Sequence, residues 1–197
     1  MKLYETPPDV VTVGRRRYRV DLDFRNVLRM METLDREDLL QEAREYRALR
    51  CVCRHPPRKY NPLFVAVLSL LFPGAKSESS GPKLTSFQQD ADLIRAAFLQ
   101  AYGINLYHDR LHWLEFISLL HSIPEGSRYA EIVSIRARPM PEATKYNEKE
   151  REWLAKAKAI YAVQLTEKER EASLQAGLHS MTLSLLELAK RGKPDEE

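Results

Sequence analysis

The chain has 197 residues, 44% hydrophobic and 30% charged, proportions that fit a folded protein and exclude wholesale disorder. That length suits one domain, or one domain with an appendage, whose core needs no disulfide staples. Lys plus Arg number 31 against 28 Asp plus Glu, so the net charge of +3 gives no general attraction to nucleic acid.

Val10 to Val13 and Arg17 to Val20 flank Gly14, which permits a positive φ, so a β-hairpin is predicted over residues 9–21. Asp23 has the position of an N-cap. Phe24, Val27, Leu28 and Met31 come next at i, i+3, i+4 and i+7, with Leu34 extending the stripe. Asp35 is expected to cap a second helix reaching Cys53, with Leu39, Ala43, Tyr46 and Leu49 or Arg50 on one side, before Pro56-Pro57 stops it. Asn61-Pro62 reads as an N-cap with proline at the first helical position, opening an apolar helix over residues 63–72.

Residues 73–86 are rich in Ser, Gly, Pro and Lys and are predicted to form a flexible loop. Ser86 then caps a helix whose stripe is Phe87, Ala91, Ile94, Phe98 and Ala101, with Gly103 as its C′ residue. Residues 109–121 carry Leu111, Trp113, Leu114, Phe116, Ile117, Leu119 and Leu120. A helix apolar almost all round belongs at the centre of a core. Ser127 caps a helix running to Arg136. Asn147 caps a charged one with Trp153, Ala157, Ile160 and Tyr161 on one face. Thr166 with Glu169 has capping-box spacing and opens a last helix ending near Gly192.

The expected fold is therefore mainly α: an N-terminal β-hairpin, a bundle of about six to eight helices, and an extra C-terminal helix. Residues 1–165 would form the hairpin plus helical domain, and residues 166–197 a C-terminal helical extension. No membrane association is expected, because the longest apolar run, residues 63–72, falls well short of the ~20 residues a span needs. Residues 1–12 hold no apolar signal segment, so a soluble, intracellular chain is expected. Cys51 and Cys53 diverge by about 200° around a helix, which favours reduced thiols.

Two clusters have metal-like spacing. His108 and His112 stand at i and i+4, as zinc ligands do on a helix, but Asp109 is too short for the usual Glu and no third ligand is in phase. The simpler reading puts His108 at a helix start and His112 in the core. Cys51, Cys53 and His55 lack the fourth ligand that structural zinc requires. The glycines are dispersed and assemble no phosphate loop or nucleophile elbow. No cofactor or metal is expected, and the chain is read as a protein binder and not an enzyme.

Two features remain as candidate contact surfaces. Between Arg44 and Lys59 the chain holds six basic residues and one acid, and Arg47, Arg50 and Arg54 fall at i, i+3 and i+7. Arg15, Arg16, Arg17 and Arg19 add charge at the hairpin turn. No helix–turn–helix or stacking platform accompanies them, so a solvated or protein-contacting face ranks ahead of nucleic acid, which is the alternative. In the last predicted helix Leu174, Leu178, Met181, Leu185 and Leu188 are spaced four, three, four and three, a short coiled-coil-type seam that Leu183 and Leu186 widen. It can pack on its own domain, on a partner, or on a second copy of the chain.

Three blocks together carry a family resemblance. They are Tyr18-Arg19-Val20-Asp21-Leu22-Asp23-Phe24-Arg25-Asn26-Val27-Leu28; Gln89-Asp90-Ala91-Asp92-Leu93-Ile94 through Phe98-Leu99-Gln100-Ala101-Tyr102-Gly103-Ile104-Asn105-Leu106; and Leu111-His112-Trp113-Leu114-Glu115-Phe116 followed by Ile132-Val133-Ser134-Ile135-Arg136. In this order the chain resembles the "gene product fifteen" family of long-tailed bacteriophages and prophages, from the hairpin to about Val163. The resemblance implies a role in tail morphogenesis, since such genes lie between those for the tail-tube subunit and the tape-measure protein, where tail assembly chaperones are encoded. The implied partners are the helical tape-measure protein, the tail-tube subunit or a companion chaperone. The implied location is the host cytoplasm, with the protein absent from the mature virion. The family assigns no catalytic residues. The basic stretch from Arg44 to Lys59 and the segment after residue 165 depart from its pattern. Met30, Met31 and Met181 would suit an adaptable surface.

Overall fold

The computed structural model describes residues 5–73 and 83–165. Among these the order is β1 (Val10–Val13), β2 (Arg16–Arg19), α1 (Phe24–Leu34), α2 (Gln41–Val52), α3 (Asn61–Leu71), α4 (Ala91–Tyr102), α5 (Trp113–His121), α6 (Arg128–Ala137) and α7 (Glu148–Tyr161). The mainly helical architecture behind an antiparallel N-terminal hairpin is the expected one. The strands pair Val10 with Arg19 and Val13 with Arg16. Gly14 takes φ +60° at the first turn position, where a II′ turn needs glycine. The helix expected over residues 166–197 and its leucine seam lie outside the described residues, as does most of the loop expected at 73–86.

Several predicted helix starts move, each for a local reason. Asp23 does cap α1, its carboxylate accepting the Arg25 N–H at 3.0 Å. Asp35 does not open α2. Its N–H closes α1 on the Met31 carbonyl, a turn comes next, and α2 begins only at Gln41 with Leu40 at the cap position. The buried line of α2 is Ala48, Leu49 and Val52, while Ala43 is exposed. In α3 Asn61 is already helical and Pro62 sits in the first turn, where a missing N–H costs nothing. Ser86 caps a turn and not the helix. Its hydroxyl accepts the Gln89 N–H, and Asp90 takes the position before α4. Ala97 replaces the exposed Ala101 in the buried stripe.

The largest shift is in α5. Residues 109–112 are not helical, because Leu22–Phe24 and Leu111–Trp113 pair as an antiparallel bridge about Asp23 and His112. The Phe24 N–H donates to the Leu111 carbonyl at 3.0 Å and the Trp113 N–H to the Leu22 carbonyl at 2.7 Å. These bonds use backbone groups that a helix would have spent internally. α1 and α5 thus start side by side, and His112 caps α5 by accepting the Leu114 N–H on Nδ1 at 3.1 Å. His112 is a cap, not a core histidine, and His108 is exposed in a turn.

The side-by-side start brings the aromatic residues together. Phe116 stacks on Phe24 at 4.7 Å and on Phe98 at 5.2 Å between centroids, with Trp113 and Phe87 within 6.1 Å. Trp113 is 1% exposed, and its indole N–H donates to the Leu71 carbonyl at 3.1 Å, which ties α3 to this centre. α5 is central, as its composition predicts. α7 lies on α6 through Leu154 and Ala157. Its predicted face is turned, leaving Trp153 and Ile160 exposed at 54% and 74%.

Candidate partner-binding surfaces

Burying Val27 and Met30 of α1 leaves Leu28, Met31 and Leu34 on its flank, half-covered. Opposite them runs the stretch from Lys83 to Arg95, whose Phe87 packs on Trp113 and Phe116 of α5. Between the two lies an open groove of about 1180 Å³. Its floor is apolar, made by Phe24, Phe87, Ile94, Leu106 and Phe116. Its rim alternates in charge, with Arg25, Glu32, Glu37, Arg44 and Arg95. Gln164 and Leu165 stand at its mouth, and the Gln164 N–H donates to Gln89 Oε1 at 3.0 Å.

One wall is fixed by a buried ion pair. Arg136, on the same stripe of α6 as Tyr129, Ile132 and Val133, reaches Asp90 with both terminal nitrogens at 2.7 and 2.8 Å. The side chains are 9% and 2% exposed. Arg136 also donates to the carbonyls of Leu84 at 2.9 Å and Tyr161 at 2.6 Å, and the Ser86 N–H donates to Asp90 Oδ2 at 2.9 Å. Burial pushes the Asp90 carboxyl up, but the Arg136 guanidinium and the Ser86 N–H outweigh it and hold it below its ordinary value. One guanidinium therefore binds the groove wall, the start of α4 and the end of α7 together. Both residues lie within the blocks that carried the resemblance, yet their pairing is not visible in sequence. The available signals were a cation continuing the apolar stripe of α6 and an acid at i−4 to Ile94.

The basic residues form a second surface, arranged differently from the expected stripe. α2 ends at Val52 and Cys53 is extended, so Arg54 leaves the helix that carries Arg47 and Arg50. Arg47 and Arg50 are exposed, and the Asp38 carboxyl nearby is lowered chiefly by its hydrogen bonds from Arg36, with Arg47 adding the smallest pull. Arg54 instead joins the hairpin. The Asp21 N–H donates to the Val52 carbonyl at 2.8 Å, and Arg17, Arg19, Arg54 and His55 line one open cleft. The three acids of that cleft are engaged, Asp9 by Arg19 at 3.9 Å and Asp21 and Asp23 by Arg110 at 2.9 and 3.2 Å.

The metal-like clusters do not assemble. Among the described residues no three His, Cys, Asp or Glu side chains converge as metal ligands. Cys51 and Cys53 are free thiols, the second buried. No helix among the described residues is long and apolar enough to cross a membrane. The five seam residues from Leu174 to Leu188 lie beyond the described residues, so the structure neither joins them to the groove nor separates them from it.

No curated protein and no solved structure matches the chain. The family described as bacteriophage Gp15 protein matches residues 5–163, which run from the segment before the hairpin to just past α7 and take in all three sequence blocks. The chain belongs to that bacteriophage Gp15 protein family.

Proposed function

We propose that this phage protein is a tail assembly chaperone that holds an amphipathic helix of the tape-measure protein, or a tail-tube subunit, until assembly. The observation that supports the reading is the groove beside α1, whose apolar floor and mixed-charge rim match one helix of a long helical partner. Tape-measure chains expose apolar helical faces that aggregate when bare, and covering them needs surface complementarity and no catalytic step. The half-covered Met31 in the groove wall adds an adaptable contact.

The test is co-expression of the full chain with a tape-measure fragment from the same genome. The fragment should gain solubility and co-purify with the wild type. Met31→Asp with Leu34→Asp should lower capture at least tenfold while leaving the melting transition cooperative. Equal capture by the variant, or none by the wild type, overturns the reading.

A second reading rests on the cleft that unites Arg17, Arg19, Arg54 and His55. Such a cluster suits phosphates. Binding of DNA that falls steeply with salt, by about 0.9 log units per log of salt for each phosphate neutralised on a duplex and about 0.7 on a single strand, would favour it. No binding at low salt removes it.

A further inference from the structure

We propose that the groove beside α1 selects a basic partner: its occupant is an amphipathic helix whose Lys or Arg side chains lie over Glu32, Asp35 and Glu37. The inference rests on the reading above for one point only, that the groove takes a helix, and adds the charge of that helix. Phe24 and Phe116 at the floor are already buried, at 5% and 1% exposure. The apolar surface left for a partner is the half-covered row Leu28, Met31 and Leu34 on α1, with Phe87 across from it. That row falls at i, i+3 and i+6 and rises about 9 Å along α1, just under two turns of a facing helix.

The row ends in unmatched negative charge. Glu32, Asp35 and Glu37 line the groove at the C-terminal end of α1 and are exposed, and among the described residues no ion pair reaches them. A helix C-terminus already carries partial negative charge, and the last turn of α1 holds no basic residue to offset it. Carboxylates placed there are repelled by the helix end and by one another, and a cation brought by a partner relieves both. The cations of the rim are committed elsewhere. Arg25 pairs with Asp23 at 3.2 Å, Arg95 pairs with Asp92 and lies over the Tyr107 ring at 4.7 Å, and Arg44 donates to the Arg36 carbonyl at 3.3 Å. Lys83 is engaged as well. Matched cations beside unmatched acids leave the groove locally acidic on a chain whose net charge is +3. The local field opposes the global one, which separates selection at this groove from general attraction.

The test uses the full chain and two fluorescein-labelled helical peptides of about five turns, read by fluorescence anisotropy. Both carry the same leucine row, and the polar face is lysine in one and glutamate in the other. The lysine peptide should bind at least tenfold tighter at low salt, and the gap should narrow as salt rises. The net charge of the chain would by itself favour the glutamate peptide. Glu32→Gln with Asp35→Asn and Glu37→Gln should cut the preference to threefold or less. Glu142→Gln with Glu148→Gln and Glu150→Gln makes the same change in net charge at exposed positions outside the groove and should leave the preference intact. Equal affinities, no binding of the lysine peptide, a preference that survives the first triple variant, or one that the second removes equally, overturns the inference. So does a wild-type dimer in sedimentation that the first triple variant dissolves, since a second copy would then fill the groove. The chaperone reading stands or falls separately. A tape-measure fragment held equally well by the wild type and the first triple variant keeps that reading and removes this one. A lysine peptide bound through the three acids, with no fragment captured, does the reverse.

Discussion

At the residue scale, Asp90 and Arg136 carry more of this structure than any pair chosen from sequence. A guanidinium 9% exposed that donates to one carboxylate and two carbonyls leaves no partner for water to replace. Removing one member strands the other charge in the interior. Asp90→Asn and Arg136→Met should each cost about 3–5 kcal/mol in urea unfolding, and the double variant less than their sum. The depressed Asp90 carboxyl fixes a pH signature. Its stabilisation is complete above the unfolded value of about 4 and is lost as the pH falls through the lower folded value, so Asp90→Asn should lose that acid-side slope.

His112 contributes a pH dependence of the same sign. Burial lowers its pKa, against the opposing pull of the Pro8 carbonyl and the Glu115 carboxylate. Nδ1 must stay unprotonated to accept the Leu114 N–H. The unfolded chain therefore takes up a proton first. Stability should be full above about pH 6.5 and decline as the pH drops through that value toward the lower folded pKa. His112→Asn keeps a capping acceptor that does not titrate. Urea midpoints between pH 5 and 8 should fall for the wild type and stay flatter for the variant. An equal slope in both would assign the effect elsewhere.

At the element scale, the legible part of the sequence was local. The hairpin turn at Gly14, the caps at Asp23 and Ser127 and the stop at Gly103 each depend on residues within four positions, and the structure keeps them. Gly103 sits at φ +68° with open space around it, so Gly103→Ala should cost about 1 kcal/mol through backbone strain alone, read as a lowered melting temperature without a change in the cooperativity of unfolding. Expectation and structure part where distant chain competes for the same backbone groups. Asp35 looks like an N-cap but its N–H is spent closing α1. His108 to His112 looks helical, but Leu22 and Phe24 take backbone groups of Leu111 and Trp113 from about ninety positions upstream, a separation at which periodicity carries no information. The apparent zinc spacing failed for that reason. Arg54 likewise leaves the basic stripe because α2 stops at Val52, and it lines one cleft with Arg17, a placement no spacing rule contains.

At the scale of the whole molecule, the described residues divide by how they are held. The aromatic centre of Phe24, Phe98, Trp113 and Phe116 joins α1, α4 and α5 through large rings, each contributing roughly 1.5–3 kcal/mol of burial. α7 has no ring in that centre. Its buried residues are Leu154 and Ala157, and its ties to α6 include the Tyr161 carbonyl to Arg136, Lys158 Nζ to the Arg136 carbonyl at 2.8 Å, and Arg128 to the Tyr161 hydroxyl at 2.6 Å. Few apolar contacts and several bonds to one residue make a unit that opens before the core. In hydrogen exchange the amides of Glu148–Tyr161 should exchange through local opening, insensitive to low urea, whereas those of Trp113–His121 should require global unfolding. Arg136→Met should accelerate α7 far more than it accelerates α5, because it cuts the bond to Tyr161 directly but reaches the aromatic centre only through α4. If both helices accelerate by the same factor, α7 and the core are one cooperative unit, and the ion pair stabilises the molecule uniformly and does not pin α7 to the groove wall.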